Sequence, residues 1–299
     1  MKVVLAYVVC AVVWGTTWFA IRVCIGDGGY PTLPAAALRF TIAVAVLVPL
    51  AVAGLARPGP RDRRQLLWLV VAGLLNALGY GLVYSGEEHV SGALAAVLFG
   101  TEPLAVALMV TVTRTEHVHR YDLLGALIAL CGVGVIFWDR LDVSRDQAAG
   151  VGLILLAVVV SGAYAVIIKR EASGMHPLAS AAVFLTVTTV ALWAFVLARG
   201  WQPLPWPPPV KPTIALLYLA IFGSVIAFAT YFYLLSRINL MASASLVFVL
   251  PIIALFVDAI WEDDVVLAGR TYLGIAITMA GVLVSVWLRP RAVAPVIEA

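Results

Sequence analysis

Glu102 and Pro103 lie at the centre of LFGTEPLAVAL, Leu98 to Leu108, a stretch that is otherwise uncharged. A carboxylate in apolar surroundings of membrane depth costs on the order of a few kcal/mol or more unless it is paired or faces water. Glu102 is therefore expected to line an interior cavity, where it would bind an ammonium group or exchange a proton. A structural alternative stays open: a paired or protonated Glu102 that locks the Pro103 region, where the missing backbone donor frees a carbonyl. The deepest cation is Arg39. Along the membrane normal it should sit roughly 7 to 8 Å from Glu102 at about 1.5 Å per residue. That is within reach of an arginine side chain, so Arg39 is the natural partner to test. Its own alternative is structural, holding carbonyls near the outer face.

Aromatic and polar residues then recur at helical spacing. Asn76, Tyr80 and Tyr84 form one stripe, Ser224, Phe228 and Tyr231 a second, and Tyr7, Trp14 and Trp18 a third. Stripes of this kind either pack helices or face a ligand, and ring faces bind apolar bodies and cations. Trp14, Asn76, Tyr80, Tyr164 and Tyr231 join Glu102 as the expected substrate contacts. Trp138, Trp261 and Trp287 fall at the ends of apolar runs and are expected in an interfacial belt.

Other chemistries lack their residues. His117 and His119 make an H-x-H in EHVHRYD, but without further ligands this reads as a solvated turn, so no metal is expected. There is no H-E-x-x-H, no S-x-x-K and no intramembrane pair of aspartates, and Asp258 stands alone near a run end. No G-x-x-x-x-G-K-[ST] is present, so no nucleotide drives the protein from this chain. Cys10, Cys24 and Cys131 are dispersed and read as packing residues. Neither enzyme activity nor a cofactor is expected.

The elements that must position these residues follow from composition. Of 299 residues 63% are hydrophobic and 12% charged, against about a quarter charged in a soluble domain. Ten apolar runs, of 16 to 23 residues with roughly placed bounds, are read as spans, the crossing length being about 20 residues of helix. They are Val3 to Val23, Leu33 to Ala53, Leu66 to Ser85, Gly92 to Val112, Leu123 to Trp138, Ala149 to Ile168, Leu178 to Ala198, Thr213 to Leu235, Leu240 to Ile260 and Tyr272 to Leu288. Helices satisfy their backbone groups internally in lipid, and no barrel-like alternation is present. The expected fold class is an all-α integral membrane protein. The first run lacks a cleavage site and reads as a retained helix.

Twelve of the 19 Lys and Arg residues flank one set of run ends: Lys2, Arg57, Arg61, Arg63, Arg64, Arg114, Arg120, Lys169, Arg170, Arg237, Arg289 and Arg291. Arg22, Arg140, Arg145, Arg199, Lys211 and Arg270 flank the other. The positive-inside rule puts both termini in the cytoplasm and the acidic turns Glu87-Glu88 and Glu262-Asp263-Asp264 outside. Basic residues in short loops do not make a nucleic-acid surface.

The chain also matches itself at an offset of about 148 residues. WGTTWFAIR (from Trp14) lies over SGAYAVIIK (from Ser161), pairing Gly15 with Gly162 and Arg22 with Lys169. LLGALIALCGVGVIFW lies over YLGIAITMAGVLVSVW, pairing Gly125 with Gly274 and Gly132 with Gly281. Tyr84 meets Tyr233, Phe99 meets Phe248 and, after a one-residue slip, Pro103 meets Pro251; Leu250 stands where Glu102 does. The glycines are expected at close helix crossings, and Pro103 and Pro251 at matched places in a moving scaffold. Five helices per repeat is odd, so the second repeat is inverted, an arrangement that yields alternating access. The repeats span 1–138 and 149–288, followed by a short cytoplasmic tail, 289–299.

On WGTTW from Trp14, Leu38-Arg39-Phe40, Glu102-Pro103, Glu116 with Gly125, Gly132-Val133, Pro251, Gly274 and Gly281-Val282, the sequence resembles the EamA-type branch of the drug/metabolite transporter superfamily. The resemblance covers nearly the whole chain. It implies a ten-helix, two-times-five fold in a bacterial plasma membrane, exporting amino acids, related metabolites or drugs. The expected function is export of a small metabolite, an apolar or aromatic amino acid or an amphipathic amine, driven by a gradient of substrate or protons. A sugar-phosphate or nucleotide-sugar antiporter shares the fold but should carry paired cations at the midplane, where this chain has none.

Overall fold

In a computed structural model of the chain the described residues are 1–55, 62–90, 92–136, 138, 147–172, 175–261 and 269–287. Outside them fall Arg57, Arg61, Arg140, Arg145, Arg289, Arg291, the acidic turn Glu262-Asp263-Asp264 and the expected tail 289–299. The side chains of Asp258, Trp261 and Trp287 are likewise outside. Among the described residues every regular element is helical.

The first repeat contains α1 (Lys2–Ile25), α2 (Thr32–Leu50), α3 (Arg63–Glu87), α4 (Gly92–Phe99), α5 (Glu102–Thr113) and α6 (Arg120–Ile136). The second contains α7 (Ala148–Glu171), α8 (Pro177–Arg199), α9 (Val210–Ala220), α10 (Ala227–Leu235), α11 (Leu240–Ala244), α12 (Leu246–Trp261) and α13 (Gly269–Trp287). Counted as spans, with α4 and α5, α9 and α10, and α11 and α12 each joined end to end, these make ten. Start signals are local: Asp62 caps α3 by accepting from the Arg64 amide at 2.9 Å, and Asn239 caps α11 at the Ala242 amide at 2.8 Å.

Packing obeys the repeat. α6 packs on α13 and α2 on α8, each helix meeting its own counterpart. α1 packs on α12 as α7 packs on α5, and α3 packs on α7 as α1 does on α9 and α10. This is the two-fold exchange expected of two five-helix repeats.

Apolar lipid tails give helices no hydrophobic reason to associate, so close approach and shape must hold them. At the α6–α13 crossing a Cβ on Gly125 would strike the Gly281 carbonyl, and one on Gly274 the Gly132 carbonyl. Gly15 receives Ile253 of α12, and Gly162 lies against Val106 and Met109 of α5. The glycines therefore serve the matched crossings.

The three joined spans depart from the expectation of plain helices. Gly92 to Val112 is cut at Gly100 and Thr101, where the Gly100 and Thr101 amides bond Val97 and Leu98 three residues back, at 3.0 Å each. Thr101 Oγ1 also donates to the Leu98 carbonyl at 2.6 Å. The ladder can stop here because Pro103 has no amide to continue it, and a proline in the first turn of a new helix forfeits nothing. The ninth span is interrupted at Ser245, but Pro251 lies inside α12, where its missing amide leaves the Val247 carbonyl without its helical donor. The two prolines thus differ in backbone role, Pro103 opening a helix and Pro251 lying inside one. In the eighth span Ile221–Ile226 is π-helical, and Ser224 Oγ donates to the Leu219 carbonyl five residues back at 3.1 Å.

Candidate functional site

A cavity of about 130 Å³ lies between the repeats. For scale, an engineered protein cavity of about 150 Å³ takes up benzene. All six expected substrate contacts, Trp14, Asn76, Tyr80, Glu102, Tyr164 and Tyr231, line it. Among the described lining residues only Glu102 and Arg39 carry a formal charge.

The break in the fourth span places Glu102. It is the first residue of α5, so the carboxylate sits at the positive end of a half-helix dipole, which favours negative charge there. Ser161 Oγ of α7 donates to Glu102 Oε1 at 2.7 Å and is 3.3 Å from the Tyr164 hydroxyl. Tyr231 of α10 and Ser243 of α11 line the same cavity. Four helices, α5, α7, α10 and α11, thereby bring one carboxylate and a set of hydroxyls to one side of the cavity.

Trp14 stands next to this group, its ring 5.0 Å from Tyr231 and 5.6 Å from Phe228. Its indole donates to the Gly223 carbonyl at 3.3 Å. Asn76 donates to Thr188 Oγ1 at 3.0 Å, tying α3 to α8, while its buried Oδ1 has no hydrogen-bond partner among the described residues. Of the other stripe members, Trp18 and Phe228 line the cavity, whereas Tyr84 is fully buried beside it and Tyr7 bonds Ser245 at 2.9 Å.

Arg39 is not Glu102's partner. Its Nε donates to Ser224 Oγ at 2.9 Å and its Nη2 to the Gly223 carbonyl at 3.0 Å. The guanidinium carbon stands 5.2 Å from the Phe40 ring and 5.0 Å from that of Tyr80. The reason lies in the eighth span: a π-turn releases carbonyls from the α-ladder, and Gly223 lacks the Cβ that would press on both Thr17 and Arg39. Arg39 is 1% exposed, and its bonds join α2 to the π-turn.

A second polar group closes one end of the bundle, and the sequence reading missed it. Lys169 Nζ donates to the Leu235 and Ile238 carbonyls at 2.7 Å each. Glu116 of the first repeat lies 3.7 Å from Lys169 and accepts from the Leu240 amide at 2.9 Å. Glu116 thus ties the α5–α6 turn to α7 and to the α10–α11 turn. The signal available in sequence was an acid and a base at the same set of run ends, one in each repeat.

Elsewhere, His117 and His119 have rings 4.8 Å apart, and among the described residues no three His, Cys, Asp or Glu side chains gather as a metal site. Trp138 is exposed, as a belt residue would be, and Cys10 and Cys24 are buried while Cys131 is exposed.

Comparison with known proteins agrees with this architecture. The model of the EamA-like transporter family matches residues 1–138 and 148–287. A probable terminal-alkyne amino-acid exporter of Streptantibioticus cattleyicolor is 28% identical over 88% of this chain and 86% of its own. The uncharacterized inner membrane transporter YedA of Escherichia coli is 30% identical over 81% of this chain and 77% of its own. A solved crystal structure 19% identical in sequence superposes with a TM-score of 0.76 over 96% of both chains.

Proposed function

The chain belongs to the EamA-like transporter family, and on that footing we propose that it exports amino acids or amphipathic amines from the cytoplasm, with Glu102 holding the substrate ammonium. The observation that carries this reading is one carboxylate, fixed by Ser161 at 2.7 Å, in a cavity walled by aromatic rings. Carboxylate and ring faces both attract an ammonium group, and the rings also accept an apolar body. The relative from Streptantibioticus cattleyicolor, named as a probable exporter of an amino acid with an alkyne, fits the same combination.

The Lys and Arg count supports cytoplasmic termini, and the likeness to an inner membrane transporter of Escherichia coli supports a bacterial inner membrane. The Glu116–Lys169 clasp then lies at the cytoplasmic end, where it must part for substrate to enter. Exchange-related packing of the two repeats gives the rocking that moves access from one side to the other. A gradient of substrate or of protons drives it. Sugar phosphates fit less well, because Arg39 is the cation at the cavity and its Nε and Nη2 are committed to Ser224 and Gly223.

Purified protein in liposomes preloaded with unlabelled substrate tests the reading. A labelled aromatic or aliphatic amino acid, or an amphipathic amine, should accumulate by exchange. Failure across a broad panel of such compounds overturns export.

A further inference from the structure

Resting on the amine reading above, we infer that Leu250 is the residue that makes this a site for substrates with one cationic end and one apolar end. Leu250 takes the place of Glu102 in the second repeat, and both side chains line the same cavity. The helices that supply the lining differ in chemistry. Glu102, Ser161, Tyr164 and Ser243 supply carboxylate and hydroxyls from α5, α7 and α11. Opposite in character are Leu246, Val247 and Leu250 of α12, a helix that packs on α1 and α4, the helices carrying Trp18 and Phe99. Those two rings lie 5.6 Å apart and also line the cavity.

A two-fold cavity with an acid at both positions would hold a cation at each end. Here the ninth-span position offers only methyl groups, and leaving a second ammonium without a partner there costs its desolvation. The ligand class is therefore a primary amine whose far end is alkyl, aryl or another uncharged group. Terminal diamines are excluded by Leu250 rather than by size.

Binding to the purified protein, followed by tryptophan fluorescence, tests this with pentylamine and its terminal diamine, cadaverine. Wild type should prefer pentylamine, and Leu250→Glu should shift the ratio toward cadaverine by about tenfold or more, the effect of one charged hydrogen bond. Leu250→Gln should not. An unchanged ratio in a folded Leu250→Glu protein, or an equal shift in Leu250→Gln, overturns the inference, as does a wild type that binds both amines alike or neither. Should Leu250→Glu not fold, Leu250→Phe decides: it should weaken pentylamine several-fold more than ethylamine, and equal weakening of both is the contrary result. Because these are binding measurements, a protein that binds pentylamine but moves nothing in liposomes counts against transport alone.

Discussion

The fourth and ninth spans hold matching places in the two repeats and are built differently. The fourth is cut at Gly100 and Thr101, and its second half opens with Glu102 and Pro103. The ninth is interrupted at Ser245, keeps Pro251 inside α12 and has Leu250 in the cavity lining. Where helices cross, by contrast, the repeats agree: Gly125 and Gly132 pack against the helix of Gly274 and Gly281. Symmetry is kept where the helices cross. It is lost in the cavity lining, where Glu102 and Leu250 differ.

The largest effect is expected at the shared positions. Gly132→Leu and Gly281→Leu each force a side chain into backbone of the facing helix, at a cost of about 3 kcal/mol or more. Thermal unfolding in detergent should show losses of similar size for both, or no folded protein from either. One variant behaving like wild type would break the claim of a symmetric scaffold.

Next comes the unshared position. Glu102→Gln keeps the shape and the Ser161 contact but removes the charge, and amine exchange in liposomes should fall by about 10- to 100-fold. Leu250→Gln should cost far less. Near-equal losses would mean that the cavity does not distinguish its two halves.

The prolines sharpen the comparison further. Pro251→Ala restores an amide to the Val247 carbonyl, so α12 should stiffen, melt about 2 to 4 °C higher for a gain near 1 kcal/mol, and transport several-fold more slowly. Pro103→Ala sits in a first turn, where no ladder bond was missing, and its melting temperature should stay within about 1 °C. A reversed order would contradict the placement of the two breaks.

The smallest effect belongs to the clasp. Lys169 and Glu116 are both partly exposed, so the ion pair itself contributes about 1 kcal/mol or less. Glu116→Gln should raise the rate at which a cysteine placed at Ser243 is alkylated by a thiol reagent added to the cytoplasmic side, by about fivefold at most. No increase would remove the clasp from the account of gating.

Much of this was legible in the residues. Helix-length apolar runs of 20 residues have no stable alternative in lipid, and Gly or Pro at a constant offset marks packing that two copies share. The six cavity contacts stood out because polar and aromatic groups are scarce in such runs. What sequence hid was backbone detail. Nothing in IFGSVI marks a π-turn, so Arg39 was matched with Glu102 by depth alone, while its real partners are exposed by that turn. Likewise Pro103 and Pro251 look alike as letters, and only the hydrogen bonds around them separate a helix start from a helix interior. Leu246, Val247 and Ser243 carried no signal, since apolar and small residues are everywhere in the chain.

The central claim is that Glu102 recognises the charge of the substrate. A two-by-two comparison isolates it: binding of pentylamine and of pentanol, close in shape and differing in charge, by wild type and by Glu102→Gln. Wild type should favour the amine by about tenfold or more, and the variant should lose most of that preference, giving a coupling near 1.5 to 3 kcal/mol. An amine preference of the same size in both proteins would contradict the account and assign ammonium recognition to the aromatic wall.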